Sequence, residues 1–135
     1  MPPNSRIYEL LELVLKCNNF VFDGDHYLQI NGTAMGTHVA PTYANLFMDD
    51  FERKYIYTHQ QCPRIWFRFI DDIWGIFSGT EAQLKQFHEY ANSIHPTIKF
   101  TMEYSKEKVA FLDTETFNDE GLLHVNLYSK PTDSH

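Results

Sequence analysis

Two adjacent carboxylates, Asp71 and Asp72, are the side chains in this sequence with the clearest capacity for chemistry. They lie between two short runs of aromatic and β-branched residues, 66–70 and 73–77, which have the length and composition of β-strands. A strand, an Asp-Asp turn and a returning strand is the simplest local structure that fits this pattern. At the tip of such a hairpin both carboxylates can converge on one site, whereas on a straight strand they point to opposite faces.

The donor atoms of this pair indicate a hard cation. Carboxylate oxygens with few His or Cys residues suit Mg²⁺ better than zinc. Two such ions held by carboxylates suit phosphoryl transfer, since one stabilises the attacking oxygen and the other the leaving oxygen. Because Asp is a common turn residue, an Asp-Asp pair by itself is more often an ordinary hairpin turn. The neighbouring motifs must therefore decide between the two interpretations.

A loop with two glycines, residues 31–37, leads into a helix that is predicted to begin near Pro41 and end near Tyr55. Glycine allows a substrate to approach the backbone, and a helix N-terminus favours anions, so the loop is compatible with phosphate binding. The loop lacks the spacing and the Lys of a P-loop. Taken alone it is more often a flexible connection. The charged residues at the end of the helix, Glu52 among them, are expected to point mostly outward.

The remaining elements follow from periodicity and turn residues. Residues 7–15 predict a helix with one buried apolar stripe, and Asp23-Gly24 predicts a hairpin turn. Residues 80–83 have the form of a capping box for a third helix, which His95-Pro96 should end. Strands are predicted at residues 98–104, 109–112 and 123–128, the last with Leu123, Val125 and Leu127 on one buried face. Helices interleaved with hairpins predict an α+β fold, an antiparallel sheet with helices packed on one face.

Composition limits the possible functions. The chain has 135 residues, 43% of them hydrophobic, which predicts one domain or part of one with a real core. No apolar run approaches the roughly 20 residues of a membrane helix, so no membrane partner is expected. The net charge of −7 argues against a self-sufficient nucleic-acid-binding domain, because neutralising phosphates requires clustered Lys and Arg. If the chain handles nucleic acid, most of the basic contacts must come from elsewhere in a larger protein.

Several motifs, taken in order, resemble those of reverse transcriptases. Residues 32–37 and 40–48 look like the glycine loop and helix that contact template and nucleotide, and residues 68–73 are similar to the catalytic Asp-Asp box. Residues 111–113 resemble the hairpin that grips the primer end, and residues 127–133 continue as such elements do. The versions here most resemble Penelope-like retroelements and the telomerase-related branch. The resemblance covers roughly residues 28–133.

The resemblance implies a polymerase palm and an RNA-directed DNA polymerase reaction, in which a primer 3′-hydroxyl attacks the α-phosphate of a deoxynucleotide and pyrophosphate leaves. Asp71 would be the main ligand of two Mg²⁺ ions, and Asp72 a second carboxylate beside it. The nucleotide- and template-binding residues that it implies are Met35, Gly36 and Thr37. The primer-binding residues that it implies are Phe111, Leu112 and Asp113. The partners would be an RNA template, a DNA primer and deoxynucleotides.

The sequence also departs from the family. A strand that carries another metal-binding Asp should precede the glycine loop, but before Gly32 there are only Asp23 and Asp25, both at a turn. Residues 1–135 are therefore expected to be a partial palm, from the glycine loop to the primer-grip hairpin, without fingers, first catalytic strand, thumb or endonuclease. A further carboxylate from outside the chain would complete the Mg²⁺ site, and the fragment alone would be inactive. The location would be intracellular, and nuclear as part of the full element.

Other interpretations of the chain and of single residues remain open. A non-catalytic relic or domesticated RNA- or protein-binding module would keep the same fold, and a metal-dependent nuclease would need more acids near the Asp pair. Arg68 could meet phosphate or pair with neighbouring acids, and Lys106 or Lys108 could protonate pyrophosphate or stay solvated. His59 and Cys62 could form half of a metal site, although no second half is evident.

Overall fold

The structure, a computed structural model, describes residues 4–34 and 36–128. The chain divides into two compact units, the first ending at Asp50 and the second beginning at Phe51. The described residues form three α-helices and seven strands, and the strands pair in small antiparallel sheets. This confirms the prediction of a mixed α+β fold. Among the described helices, none has the length and apolar character that crossing a membrane requires.

The first unit begins with helix α1 (Asn4–Lys16), followed by the hairpin of β1 (Asn19–Phe22) and β2 (Asp25–Leu28). The two strands pair antiparallel, with Asn19 opposite Leu28 and Phe22 opposite Asp25. The turn residues Asp23 and Gly24 have φ angles of 51° and 86°. Two positive φ angles in succession are the signature of the hairpin turn that an Asp-Gly pair favours. The predicted Asp-Gly hairpin is confirmed.

Helix α2 (Ala40–Phe51) continues as a single π-helical turn (Glu52–Ile56), so the predicted helical segment is confirmed over nearly its whole length. Pro41 lies in its first turn, where a missing N–H costs little. The expectation that Glu52 points outward is wrong, since Glu52 is only 5% exposed. The chain places it in a π-helical turn, a local widening that changes which side chains share a face.

In the second unit, β3 (Ile65–Phe69) and β4 (Asp72–Ile76) form one hairpin. Strands β5 (Lys108–Phe111), β6 (Thr114–Asp119) and β7 (Leu122–Leu127) form a three-stranded antiparallel sheet in that order. The described strands therefore make three separate small sheets instead of one. The sequence patterns predicted two strands in the last region, and the structure adds β6 because the chain turns already after Phe111.

Helix α3 (Glu81–Ile94) has the predicted capping box. The Gln83 amide N–H donates to Thr80 Oγ1 at 3.3 Å, and the Thr80 N–H donates to Gln83 Oε1 at 2.8 Å. The first turn of a helix has backbone N–H donors with no partner within the helix. The first bond gives such a partner to the Gln83 N–H, and the second gives one to the N–H of the capping residue Thr80. The helix ends before His95-Pro96, as predicted.

The strand predicted at residues 98–104 is wrong, because none is assigned there. Instead the segment is bound to α3. The Phe100 N–H donates to Asn92 Oδ1 at 2.7 Å, and Asn92 Nδ2 donates to the Phe100 carbonyl at 3.0 Å. His88 Nε2 lies 2.7 Å from the same carbonyl oxygen. A helix side chain thus takes the place of a neighbouring strand as hydrogen-bond partner of this backbone.

The core of the second unit is small and aromatic. Ile56, Phe51, Phe87 and Ala91 are buried. Trp66 packs edge-on against both Phe87 and Phe100, with ring centroids 6.1 and 6.3 Å apart. This cluster joins the π-helical turn, β3 and α3, and so fixes the base of the β3–β4 hairpin. Edge-to-face aromatic pairs of this kind add modest stability beyond their buried area.

Two faces that were predicted to be buried are not: the α1 stripe is half-buried at Leu11, Val14 and Leu15 and exposed elsewhere, and the β7 face is exposed. In α1, Ile7 and Leu10 are exposed, and in β7 Leu123, Val125 and Leu127 are exposed, the last by 91%. Helical and strand periodicity determine which residues share a face. Burial in addition requires another element to pack on that face. These two expectations about burial are therefore wrong, although the helix and the strand themselves are present.

Candidate active cleft

The β3–β4 hairpin carries the two carboxylates, but its turn lies one residue earlier than predicted. Phe69 pairs with Asp72, so the two turn residues are Ile70 and Asp71. Asp71 is in the turn and Asp72 is the first residue of β4. The expectation of an Asp-Asp turn is therefore corrected to an Ile-Asp turn. Both carboxylates belong to exposed residues at one end of the hairpin.

The backbone of this turn is strained. Ile70 has a φ angle of 57°. Positive φ is uncommon for any residue with a Cβ and is a genuine outlier for a β-branched one. Strained conformations of this kind cost on the order of 1–3 kcal/mol and persist only where the surroundings enforce them. The residue immediately before Asp71 thus has a conformation that isoleucine does not favour by itself.

A second hairpin turn, between β5 and β6, lines the same cleft as the β3–β4 turn. Phe111 pairs with Thr114, so Leu112 and Asp113 form the turn between β5 and β6. Leu112 also has a positive φ, of 53°. Two backbone-directed hydrogen bonds hold this turn: Thr114 Oγ1 donates to the Phe111 carbonyl, and the Tyr128 N–H donates to the Asp113 carbonyl, both at 2.8 Å.

Both turns line one cleft of about 870 Å³ within the second unit. The cleft is bounded by the β3–β4 hairpin, by α3, by residues 99–106 and by the β5–β6 turn. All five catalytic and primer-binding residues that the resemblance implied lie on this cleft. These lining residues are Asp71, Asp72, Phe111, Leu112 and Asp113. The tertiary structure thus brings together two groups that are far apart in the sequence.

The charge of the cleft is acidic. Besides the three aspartates, Glu81 and Glu103 line it, and its lysines are Lys99 and Lys106. Lys99 Nζ donates to the Asn92 carbonyl at 2.6 Å, so this ammonium is engaged with the C-terminal part of α3. In this lining the carboxylates outnumber the ammonium groups, and a concave surface with such a charge balance attracts cations. The chemistry of the lining therefore favours a metal ion or a metal-bound anion over a free phosphate.

One carboxylate on the cleft has a shifted pKa. The Lys85 ammonium, through its hydrogen bond and charge, together with the Tyr104 hydroxyl, lowers the pKa of Glu81 below its usual value. Lys85 Nζ and Tyr104 Oη each lie 2.6 Å from Glu81 Oε1. The Tyr104 contact links the extended segment to the first turn of α3, and so helps to define one wall of the cleft.

The resemblance implied Mg²⁺ as the cofactor, so the side chains that could bind it are compared with the ligands that Mg²⁺ usually takes. Within residues 4–34 and 36–128, no three His, Cys, Asp or Glu side chains form a group that could hold a metal ion. Mg²⁺ in phosphoryl-transfer sites is commonly held by one or two carboxylates together with water and substrate phosphates. The Asp71 and Asp72 carboxylates fit that partial role. They do not make a complete protein cage.

The glycine loop belongs to the first unit. Met35 lies outside the described residues. Gly36 has a φ of 97°, and a Cβ added there would meet no atom within 4 Å, so the backbone conformation is the reason that glycine suits this position. Thr37 Oγ1 donates to the Ala34 carbonyl at 3.3 Å, which closes the loop just before α2.

Contacts identify the ion-pair partners of two residues whose roles the sequence left open, Arg68 and Lys108. Arg68 pairs with Glu52, with Arg68 Nε 2.8 Å from Glu52 Oε1. Lys108 Nζ pairs with Glu115 Oε1 at 3.0 Å, whereas Lys106 lines the cleft. The buried Glu52 was missed at the level of sequence, because its partners lie on a strand more than ten residues away.

The suggestion of half a metal site at His59 and Cys62 is weakened by the hydrogen bonding of the imidazole. The Gln61 N–H donates to His59 Nδ1 at 3.1 Å. In the neutral ring that leaves the proton on Nε2, so neither nitrogen has a free lone pair for a metal. The His59 ring also lies over Tyr90, with centroids 4.1 Å apart. Burial raises the pKa of the Cys62 thiol, which disfavours the thiolate that zinc requires.

No family model, no curated protein and no solved structure matches this chain. The residues of the cleft are therefore the basis on which a function can be proposed.

Proposed function

We propose that this chain forms part of the palm of a retroelement RNA-directed DNA polymerase, of the type found in Penelope-like elements. The observation that carries the proposal is the shared cleft: Asp71 and Asp72 line it together with Phe111, Leu112 and Asp113. In this proposal the carboxylate pair serves the metal-bound nucleotide, and the second hairpin turn on the same cleft serves the primer terminus. The acidic lining adds support, since it suits metal-bound phosphates.

Each group has a defined role in this proposal. Asp71 and Asp72 hold Mg²⁺, and the residues of the β5–β6 turn support the end of the primer. When bound, Mg²⁺ supplies charge stabilisation to the attacking and leaving oxygens. The 3′-oxygen of the primer forms a bond to the α-phosphorus of the deoxynucleotide, the bond to the β-phosphate oxygen breaks, and the hydroxyl proton passes to solvent. The proposal includes a further carboxylate contributed by another part of the parent polypeptide.

The test is primer extension by the longest polypeptide encoded in frame with this sequence. With an RNA template, a DNA primer, deoxynucleotides and Mg²⁺, we expect Asp71→Asn to reduce extension by at least about a hundredfold, since electrostatic groups at reacting oxygens contribute on that order. Asp119→Asn is the matched control, because Asp119 ends β6 and is exposed away from the cleft lining. Equal extension by wild type and Asp71→Asn would contradict the role of Asp71.

A second candidate is a non-catalytic RNA- or protein-binding module with the same fold. The observation that favours it is the net charge of −7, which is unusual for a protein that must hold two nucleic-acid strands. In that case the in-frame polypeptide would bind RNA or a protein partner without Mg²⁺ and show no extension, and Asp71→Asn would leave the binding unchanged. Nicking of plasmid DNA in the absence of deoxynucleotides would instead identify a nuclease.

A further inference from the structure

Glu52 is a buried carboxylate that the proposed reaction does not use. Its side chain is 7% exposed. Its Oε1 atom accepts hydrogen bonds from Arg68 Nε at 2.8 Å and from Trp66 Nε1 at 3.0 Å. Its Oε2 atom lies 3.5 Å from Arg68 Nη2. A buried carboxylate with fewer partners would be strongly unfavourable, so the surrounding N–H donors stabilise the charge of Glu52 in its buried position.

Arg68 connects this buried carboxylate to the strained turn. While Nε and Nη2 face Glu52, the Nη1 atom of the same guanidinium donates to the carbonyl oxygen of Ile70 at 3.2 Å. Ile70 is the turn residue with a φ of 57°, and Asp71 follows it directly. The planar Arg68 guanidinium therefore connects the buried Glu52 carboxylate to the peptide group that joins Ile70 and Asp71.

The base of this linkage is rigid. Trp66 packs edge-on against Phe87 and Phe100, and Phe87 is 4% exposed. Glu52 begins the π-helical turn whose last residue, Ile56, is fully buried. Arg68 is itself mostly buried, with 11% of its side chain exposed. A side chain that is fixed at both ends can hold a backbone conformation that the sequence alone disfavours.

We propose that Arg68, with Glu52 and Trp66, is a positioning residue that holds the Ile70-Asp71 turn and thereby directs the Asp71 carboxylate into the cleft. The function of Asp71 in this inference rests on the proposed polymerase activity. The holding of the turn does not, since it follows from contacts within the second unit. Arg68 is not a catalytic residue in this account, because its donors are occupied by Glu52 and the Ile70 carbonyl.

The chemistry of the guanidinium makes the inference specific. Arginine presents several N–H donors in a fixed plane, whereas lysine presents one compact ammonium. Lysine at position 68 would keep the charge beside Glu52 but could not serve Glu52 and the Ile70 carbonyl in the same geometry. Arg68→Lys therefore separates the role of charge from the role of the forked donor. Glu52→Gln is a second variant, which keeps the size and one acceptor oxygen and removes the charge.

The first measurement uses the 135-residue chain and solution NMR. A residue with positive φ has its amide and α protons unusually close, so wild-type Ile70 should show a strong intraresidue cross-peak between them. In Arg68→Lys we expect that cross-peak to weaken and amide exchange at Asp71 to become faster. Arg64→Lys is the matched control, because Arg64 is exposed just before β3. An unchanged cross-peak and unchanged exchange in Arg68→Lys would overturn the inference.

The second measurement uses the in-frame polypeptide that extends primers. Groups that orient metal ligands typically change metal affinity or activity by about 10- to 100-fold when they are altered. We therefore expect Arg68→Lys to need about tenfold more Mg²⁺ for half-maximal extension, Glu52→Gln to show a smaller increase, and Arg64→Lys to show none. A loss of folded protein alone would lower the amount of active enzyme without changing this Mg²⁺ dependence.

The two measurements separate the two proposals. If Asp71→Asn retains full extension, the proposed function fails, while the NMR result still decides whether Arg68 holds the turn. If Asp71→Asn abolishes extension but Arg68→Lys changes neither the turn nor the Mg²⁺ dependence, the polymerase proposal stands and the positioning role is overturned. A changed turn with unchanged Mg²⁺ dependence also overturns the positioning role.

Discussion

The four hairpin turns within residues 4–34 and 36–128 fall into two pairs. In Asp23-Gly24 and Glu120-Gly121, both residues have positive φ angles, and glycine takes the larger one, 86° and 91°. In Ile70-Asp71 and Leu112-Asp113, the first residue is at 57° or 53°, and the aspartate that follows is not in the positive region. Within the second unit, the two aspartate turns contribute Asp71, Leu112 and Asp113 to the cleft lining, whereas Glu120 and Gly121 are not part of it.

The difference shows where the chain tolerates strain. Glycine has no Cβ, so a glycine turn reaches positive φ at little cost. For isoleucine and leucine the same conformation costs on the order of 1–2 kcal/mol of conformational free energy. These residues directly precede Asp71 and Asp113. Each turn accepts a hydrogen bond from outside it, from the Arg68 guanidinium in one case and from the Tyr128 N–H in the other. Strain concentrated at a candidate site in this way is a reason to suspect function.

The largest effect is expected from removing the Glu52 carboxylate that pairs with Arg68 beside the Ile70-Asp71 turn. Glu52→Ala leaves the Arg68 guanidinium buried without its carboxylate, and breaking a buried ion pair from one side costs about 3–5 kcal/mol. We expect the free energy of unfolding, measured by urea titration, to fall by that amount. Glu89→Ala, at an exposed position of α3, should change it by less than about 0.5 kcal/mol. Similar small losses in both variants would show that the pair does not stabilise the hairpin.

An exchange of turn residues tests the comparison directly. Asparagine tolerates positive φ better than isoleucine, and Ile70 is 59% exposed, so little buried surface is lost. We expect Ile70→Asn to raise the free energy of unfolding by about 1 kcal/mol. At the other pair, Gly121→Val should lower it by about 2 kcal/mol, since a β-branched residue then takes the positive φ.

The glycine position is a clean control for backbone conformation. A Cβ at Gly121 would meet no atom within 4 Å, so the first carbon added in Gly121→Val does not clash and the positive φ is the expected cause of the loss. Gly75 is the opposite case, since a Cβ there would lie 2.6 Å from the Ile65 carbonyl oxygen. If Ile70→Asn destabilised the protein and Gly121→Val did not, the division of the turns into strained and relaxed pairs would be wrong.

The smallest expected effect concerns the α3 wall of the cleft. The pKa of Glu81 is lowered, first by Lys85 and then by Tyr104, from a usual value near 4.5. A lowered folded-state pKa contributes stability above the unfolded value, and this is lost as the pH falls through the folded one. We expect Lys85→Met to raise the pKa of Glu81 more than Tyr104→Phe does, measured by carbon NMR of its carboxyl group during an acid titration. The reverse order would contradict the assignment of Lys85 as the main cause.

Local signals in the sequence predicted much of the fold. The capping box at Thr80 and Gln83, the Asp23-Gly24 turn and the end of α3 before Pro96 all depend on residues within a few positions of one another. Interactions of that range are nearly independent of the rest of the chain. The strand expected at residues 98–104 failed for the opposite reason. Its backbone found a partner in the Asn92 side chain of α3, and no local pattern contains that information.

The candidate site shows the same division. The sequence alone determined that Asp71 and Asp72 lie at the end of a hairpin and that residues 111–113 lie near a strand end. Tertiary structure decided that both turns line one cleft, that the turn begins at Ile70, and that Glu52 points inward to Arg68. The physical reason is range. Turn chemistry and periodicity act over a few residues, whereas a shared cleft and a buried ion pair exist only when distant elements pack together.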